Sequence, residues 1–141
     1  MAILWPAFAL FLLTMLVVAR LATLRFAAVR GGKVDPRFYK IYRGEGEPET
    51  VAVVSRHVSN LSEMPTLFYA GTAIAFASGL AGNSLIALGW AYVGLRLIHS
   101  FVHLGPNKVL WRFRVFALSW LTLLGFWIVM VLQLATRPAG A

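Results

Sequence analysis

Cysteine is absent from all 141 residues, which excludes disulfides, thiolate metal sites and a cysteine nucleophile. Charge is scarce as well: Asp, Glu, Lys and Arg make up 13% of the chain against 60% hydrophobic residues. A soluble domain of this length can bury a good core, but it must cover that core with far more charge than this. The composition is that of a membrane protein, with the lipid bilayer as its first partner. The charge present leans one way, thirteen Lys and Arg against five Asp and Glu, for a net of +8. A nucleic-acid partner does not follow, because the cations flank apolar runs. Arg30, Lys33, Arg37, Lys40, Arg43 and Arg56 fall in one connection, and Lys108, Arg112 and Arg114 in another. Two basic connections suit cytoplasmic loops.

The apolar runs predict an all-α fold, a four-transmembrane-helix bundle forming a single membrane domain over residues 1–141. A first helix is expected at about 3–29, its apolar run from Ala2 to Ala19 extended by the snorkelling side chains of Arg20 and Arg25. Its positive residues follow the apolar core rather than precede it, unlike a secretory signal. From Met64 to Leu95 there is no charge, and the stretch is too long for one crossing of a roughly 30 Å hydrocarbon core. "SGLAGNS", residues 78–84, divides it: Gly79 and Gly82 supply a turn, and Asn83 or Ser84 can cap the next helix. Spans are therefore expected at 59–78 and 84–104, with "HLGPNK" leading to a last span at 115–135. Residues 30–56 read as a solvated cytoplasmic loop. With basic residues in the first and third connections and none in the second, both termini are expected outside the cytoplasm, Arg137 alone lying against that rule. Trp5, Trp90, Trp111, Trp120 and Trp127 suit interfacial or packing positions, and Met15, Met64 and Met130 suit lipid-facing or core positions.

Polar residues inside the spans carry the functional signal. Arg56, Asn60 and Glu63 stand at i, i+4 and i+7, stacked along one helical face. On the third span Arg96, His99 and His103 are three and then four residues apart, with Tyr92 a turn away. The two spans run antiparallel, so depth matches Arg56 with His103, Asn60 with His99 and Glu63 with Arg96, each level about 5 to 6 Å below the last at 1.5 Å rise per residue. A charge in the bilayer interior is costly, so Glu63 and Arg96 are expected to face protein, either as a buried ion pair that fixes packing or as part of a site. Arg56, Asn60, His99 and His103 are the better ligand candidates. His57, next to Arg56, is expected to point roughly 100° away from the stripe. His99 and His103 alone, with no carboxylate or cysteine on their helix, do not make a metal centre, so no metal is expected.

The pattern R-x-x-x-N-x-x-E followed by P-x-x-F, here Arg56, Asn60, Glu63, Pro65 and Phe68, resembles the second-helix motif of the MAPEG superfamily, membrane-associated proteins in eicosanoid and glutathione metabolism. "NLSEMPTLFYA" together with "LRLIHSFVHLGPNKVLWRFRVF" is similar to a bacterial branch of that superfamily, which implies a multi-pass protein of a bacterial inner membrane. The resemblance implies a homotrimer with glutathione as co-substrate, bound between subunits near the cytoplasmic ends of the second and third helices. Arg56 and Asn60 would hold its carboxylates, Glu63 its amino group, and Arg30 would assist from the adjacent subunit. His99 and His103 occupy positions where eicosanoid-metabolising relatives commonly carry tyrosines. Lys108 is a candidate for the cation that activates the thiol, with Arg112 its rival. The implied activity is that of a glutathione transferase or peroxidase on lipophilic electrophiles or hydroperoxides. The alternative is a non-catalytic scaffold, or an accessory subunit of a larger membrane complex.

Overall fold

The computed structural model describes residues 1–42, 46–80 and 82–136, so Arg43 and Arg137 lie outside the described residues. The elements in order are α1 (Leu4–Arg30), α2 (Phe38–Ile41), α3 (Glu49–Ala77), α4 (Asn83–Leu104) and α5 (Val109–Ala135). Among the described residues there is no strand.

Each helix end has a local cause. Pro6 lies in the first turn of α1, where a missing N–H breaks no intrahelical bond. At the other end of α1, Gly32 adopts a left-handed φ of 67°. Its amide donates to the Val29 carbonyl and that of Lys33 to Ala28, both within 3.0 Å, which satisfies carbonyls the helix would otherwise leave bare. The same device closes α3, where Gly79 has φ 68° and the amides of Gly79 and Leu80 reach back to Phe76 and Ala75. The cap expected from Asn83 or Ser84 is not formed: Gly82 holds the N-cap position of α4 in extended backbone without a side-chain hydrogen bond.

Two helices extend beyond the expected spans. α3 begins at Glu49 rather than 59, so the expected loop 30–56 contains both α2 and the first turns of α3. α5 begins at Val109, six residues before the expected 115, and includes Arg112 and Arg114. Hydropathy marks where the bilayer starts to exclude charge, whereas hydrogen bonding can carry a helix on through charged turns. Glu49 in the first turn of α3 also complements the helix dipole.

Three helices, α1, α4 and α5, are long and apolar enough to cross a membrane by length and composition. α3 has the length, at 29 residues, but Arg56, His57, Asn60, Ser62 and Glu63 in its first half lower its hydropathy, and it is not among the three. Large apolar side chains remain exposed along the outer faces of α1 and α5, including Phe8, Leu16, Phe26, Leu121 and Leu132, and so do Trp5, Trp90, Trp111 and Trp120. Apolar surface on this scale belongs to a chain solvated by lipid or by other protein.

The inner faces make two clusters. One joins Ile3, at the N-cap of α1, and Leu10 of α1, Phe68 and Ala75 of α3, Tyr92 and Val93 of α4, and Leu123, Phe126 and Met130 of α5. The other packs Val17, Leu21 and Ala28 against Val51, Val54 and Leu61, with Val34 folded in from the connection after α1. The helices approach closely at Gly89, where an added Cβ would stand 3.2 Å from Pro6 Cγ and 3.5 Å from Phe68 Cζ. A bare backbone there lets α1 and α3 both close on α4. Between the two clusters α3 and α4 meet through polar side chains.

Candidate functional site

α4 turns its polar stripe inward. Tyr92, Arg96, His99, Ser100 and His103 are all buried. On α3 the packed face runs through Val54, His57, Leu61, Pro65, Phe68, Thr72 and Ala75, spaced by threes and fours. Asn60 lies at the edge of that face and is half-buried, whereas Arg56 and Glu63 lie beyond it and are exposed.

This geometry changes two expected contacts. Arg96 does not pair with Glu63; among the described residues the one salt bridge is Arg25 to Glu47, at 2.7 Å. Arg96 instead donates from Nη1 to Asn60 Oδ1 at 2.9 Å and from Nε to the Tyr92 hydroxyl at 3.2 Å. Matching depths by Cα level failed because a guanidinium ends several bonds from its own backbone, and because Glu63 turns off the packed face. The aromatic rings of Tyr92 and Phe116 lie 5.2 and 5.3 Å from the Arg96 guanidinium carbon, and Nη2 is buried with no protein partner. Arg96 is therefore a fully buried cation held by neutral oxygens and ring faces.

His57 points inward, not away from the stripe. It is 0% exposed, and its ring centroid lies 4.7 Å from that of His103 and 5.5 Å from that of His99. Its Nε2 is 2.8 Å from Ser100 Oγ, and Ser100 gives its only hydroxyl proton to the Arg96 carbonyl, also at 2.8 Å. Ser100 must then accept, so His57 carries its proton on Nε2 and leaves Nδ1 as an acceptor. Nδ1 of each of the three histidines is buried without a protein partner. The three rings do not converge as ligands: no group of three or more His, Cys, Asp or Glu side chains among the described residues could hold a metal ion.

Beside this core opens a cavity of about 300 Å³, lined by Arg56, Asn60, His99, His103, Arg112 and Phe116, with Val109 and Phe113 at its apolar edge. Asn60 and Phe116, two of the residues that touch Arg96, form part of its wall. Arg112 is aimed by the turn between α4 and α5: its Nη1 donates to Asn107 Oδ1 at 2.8 Å, and Asn107 sits in left-handed backbone at φ 46°, which asparagine tolerates better than most residues. Lys108, at the N-cap of α5, is exposed and does not line the cavity. Arg30 is exposed at the end of α1, and neither it nor Glu63 reaches the cavity within one chain.

Arg56, Asn60, His99, His103 and Arg112 thus surround one space, while Arg30, Glu63 and Lys108 lie outside it. His57, Ser100 and the pairing of Arg96 with Asn60 are the features sequence reasoning missed. The spacing of His57 with Leu61, Pro65, Phe68 and Thr72 on one apolar face was the available signal. The space can take a polar, anionic molecule: two guanidiniums line it, a third lies behind it, and no acidic side chain lines it. No curated protein and no solved structure matches the chain. The family model described as MAPEG family matches residues 3–132, which include every residue of the cavity wall, and the chain belongs to that family.

Proposed function

We propose that the cavity binds glutathione at a subunit boundary and presents its thiolate to a lipophilic electrophile or hydroperoxide. The observation that carries this reading is Arg96: a buried guanidinium with no carboxylate, hydrogen-bonded to Asn60 in the wall of a cavity that also holds Arg56 and Arg112. An uncompensated buried cation favours an anion nearby. Glutathione supplies two carboxylates and a thiol, and membership in a family of eicosanoid and glutathione metabolism supports it over other anions.

In this reading the Arg56 fork and the Asn60 amide hold carboxylates, and His99 and His103 contribute neutral hydrogen-bonding nitrogens. Arg112 stands nearest the thiol and lowers its pKa from a free value of about 8.5. The thiolate then forms a carbon–sulfur bond as a leaving group departs, or takes the terminal oxygen of a hydroperoxide as the O–O bond breaks, the alkoxide leaving as the alcohol once protonated and a second glutathione converting the sulfenic acid to the disulfide and water. Lys108 serves only if the turn moves. Glu63, exposed on α3, and Arg30, exposed at the end of α1, complete the site across a homotrimer interface, Glu63 accepting from the ligand's ammonium group. The basic connections, and with them the cavity, face the cytoplasm. The scaffold reading draws less support, because the polar stripe residues line an open cavity as well as joining α3 to α4.

Isothermal titration tests the proposal. Wild-type protein should bind glutathione, and Arg56→Ala should weaken binding by about 10- to 100-fold, the worth of a charge-assisted hydrogen bond at about 1.5–3 kcal/mol. A wild-type protein that takes up no glutathione ends the reading. Native mass spectrometry from detergent should show three copies per particle, and a monomer that still binds glutathione would remove the shared-site arrangement.

A further inference from the structure

The reaction proposed for the polar cavity moves a proton twice: the thiol loses one before its sulfur attacks, and the alkoxide expelled from a hydroperoxide gains one. Arg56 and Arg112 in the cavity wall stay protonated and Asn60 does not titrate, which leaves His99 and His103 to carry it. In both, Nδ1 is enclosed without a protein partner, so Nε2 is the nitrogen left to meet a ligand.

The surroundings single out His103. Its ring also lines a second cavity, of about 290 Å³, formed with Arg20, Glu49, Thr50 and Asn107, and it is the one residue the two cavities share. Arg20, Glu49 and Thr50 are exposed, so solvent reaches this side of the ring. His99 lines the first cavity but not the second. The Asn107 amide donates to the Val102 carbonyl at 2.8 Å while its side chain holds Arg112; the turn that aims the thiol's cation is thereby tied to the last turn of α4, beside His103. Behind it the His57 ring, fixed by Ser100, lies 4.7 Å away and tilted by 32°.

The charges about His103 come from every neighbouring element. Arg56 and the neutral His57 stand on α3, Arg96 and His99 on α4 and Arg112 on α5, with Arg20 of α1 and Glu49 of α3 across the second cavity. No carboxylate lines the first cavity to offset an imidazolium. Bound glutathione brings two, and the nascent thiolate a third negative charge, of the kind that pairs with a protonated histidine. We infer that His103 takes the thiol proton of bound glutathione and returns it to the departing alkoxide, an inference that rests on the glutathione reading of the cavity. Nε2 accepts the proton as the thiolate forms. The thiolate takes the terminal oxygen of the hydroperoxide, the S–O bond forming as the O–O bond breaks and its electron pair leaves on the alkoxide. Nε2–H then protonates the alkoxide, giving the alcohol and a neutral imidazole. With an aryl chloride the carbon–sulfur bond forms and chloride leaves with its electron pair; no return proton is needed, and the one on His103 passes to solvent.

The two substrates make the test. Purified protein in detergent is assayed with cumene hydroperoxide and with chlorodinitrobenzene from mildly acid to alkaline pH. Both wild-type rates should rise as the thiolate forms; the hydroperoxide rate alone should then fall, as the proton held for the alkoxide is lost. His103→Gln keeps a hydrogen-bonding side chain without a proton to shuttle, and should bind glutathione within about threefold of wild type by titration. Its hydroperoxide rate should drop about 100-fold, the lower end of what a positioned acid–base group contributes, and lose the descending limb. Added imidazole should restore part of it, and chloride displacement should return to the wild-type rate at alkaline pH. Equal losses on both substrates at alkaline pH would overturn the inference, as would a wild-type hydroperoxide profile without a descending limb, which decides the matter even if the variant does not fold. A wild type that binds glutathione but turns over no hydroperoxide also overturns it while leaving the binding site standing. A wild type that binds no glutathione removes the site and the inference together.

Discussion

Truncating Phe68 to alanine should lower the unfolding free energy in detergent by about 3 kcal/mol, the lower end of the range for emptying a large core aromatic site. The ring is 0% exposed. Its centroid stands 4.8 Å from that of Tyr92 and 5.5 Å from that of Phe126, so α3, α4 and α5 all lose a neighbour. In lipid the transfer part of the usual penalty shrinks, because acyl chains are as apolar as the core, and lost packing is what remains. Phe68→Leu keeps most of the volume and should cost less than about 1.5 kcal/mol. Unfolding by sodium dodecyl sulfate, followed by helix content, separates the two; equal losses would mean that packing at this junction does not limit stability. A second readout follows from contact. Tyr92 packs on Phe68 and offers its hydroxyl to Arg96, so the alanine variant should also weaken glutathione binding.

Replacing Asn60 with leucine should be nearly as damaging, for a different reason. Arg96 Nη1 loses its only acceptor while Nη2 already has none, leaving a buried cation supported by Tyr92 and ring faces. The expected loss is about 2–3 kcal/mol, in line with a broken hydrogen bond to a charged group. Adding Arg96→Met should recover stability to within about 1 kcal/mol of wild type, since no charge then remains to be solvated. A four-variant cycle measures the coupling, expected at about 1–3 kcal/mol for residues in one network. Strict additivity would show that the two side chains do not support each other. The recovered double variant should still bind no glutathione, which distinguishes a repaired fold from a repaired site.

Much of this arrangement was legible from spacing. The breaks at Gly79 and Gly82 and at Gly105–Asn107, the antiparallel return of α4 and the inward stripe of Arg96, His99 and His103 follow from turn residues, from periodicity and from the difficulty of exposing such groups to lipid. What periodicity hid on α3 was which of two overlapping stripes packs. Arg56, Asn60 and Glu63 form a regular polar line, but the apolar line through Leu61, Pro65 and Phe68 wins the contact, because packing large apolar residues decides the rotation of the helix. His57 goes inward with that line and Glu63 outward. The extra turns of α3 and α5 were hidden because charged residues at a bilayer surface continue a helix as readily as they end it. The split of the expected residues, five around the cavity and three outside it, could not be read from a single chain's spacing.

Asn107 performs two tasks at once: its left-handed backbone reverses the chain between α4 and α5, and its side-chain oxygen orients Arg112. Hairpin geometry and the aim of a cation are thus mechanically linked through one amide. Lengthening or shortening this connection would swing the charge as well as the helix, so grafting another turn here should retune the cavity's electric field even where every residue of its wall is kept.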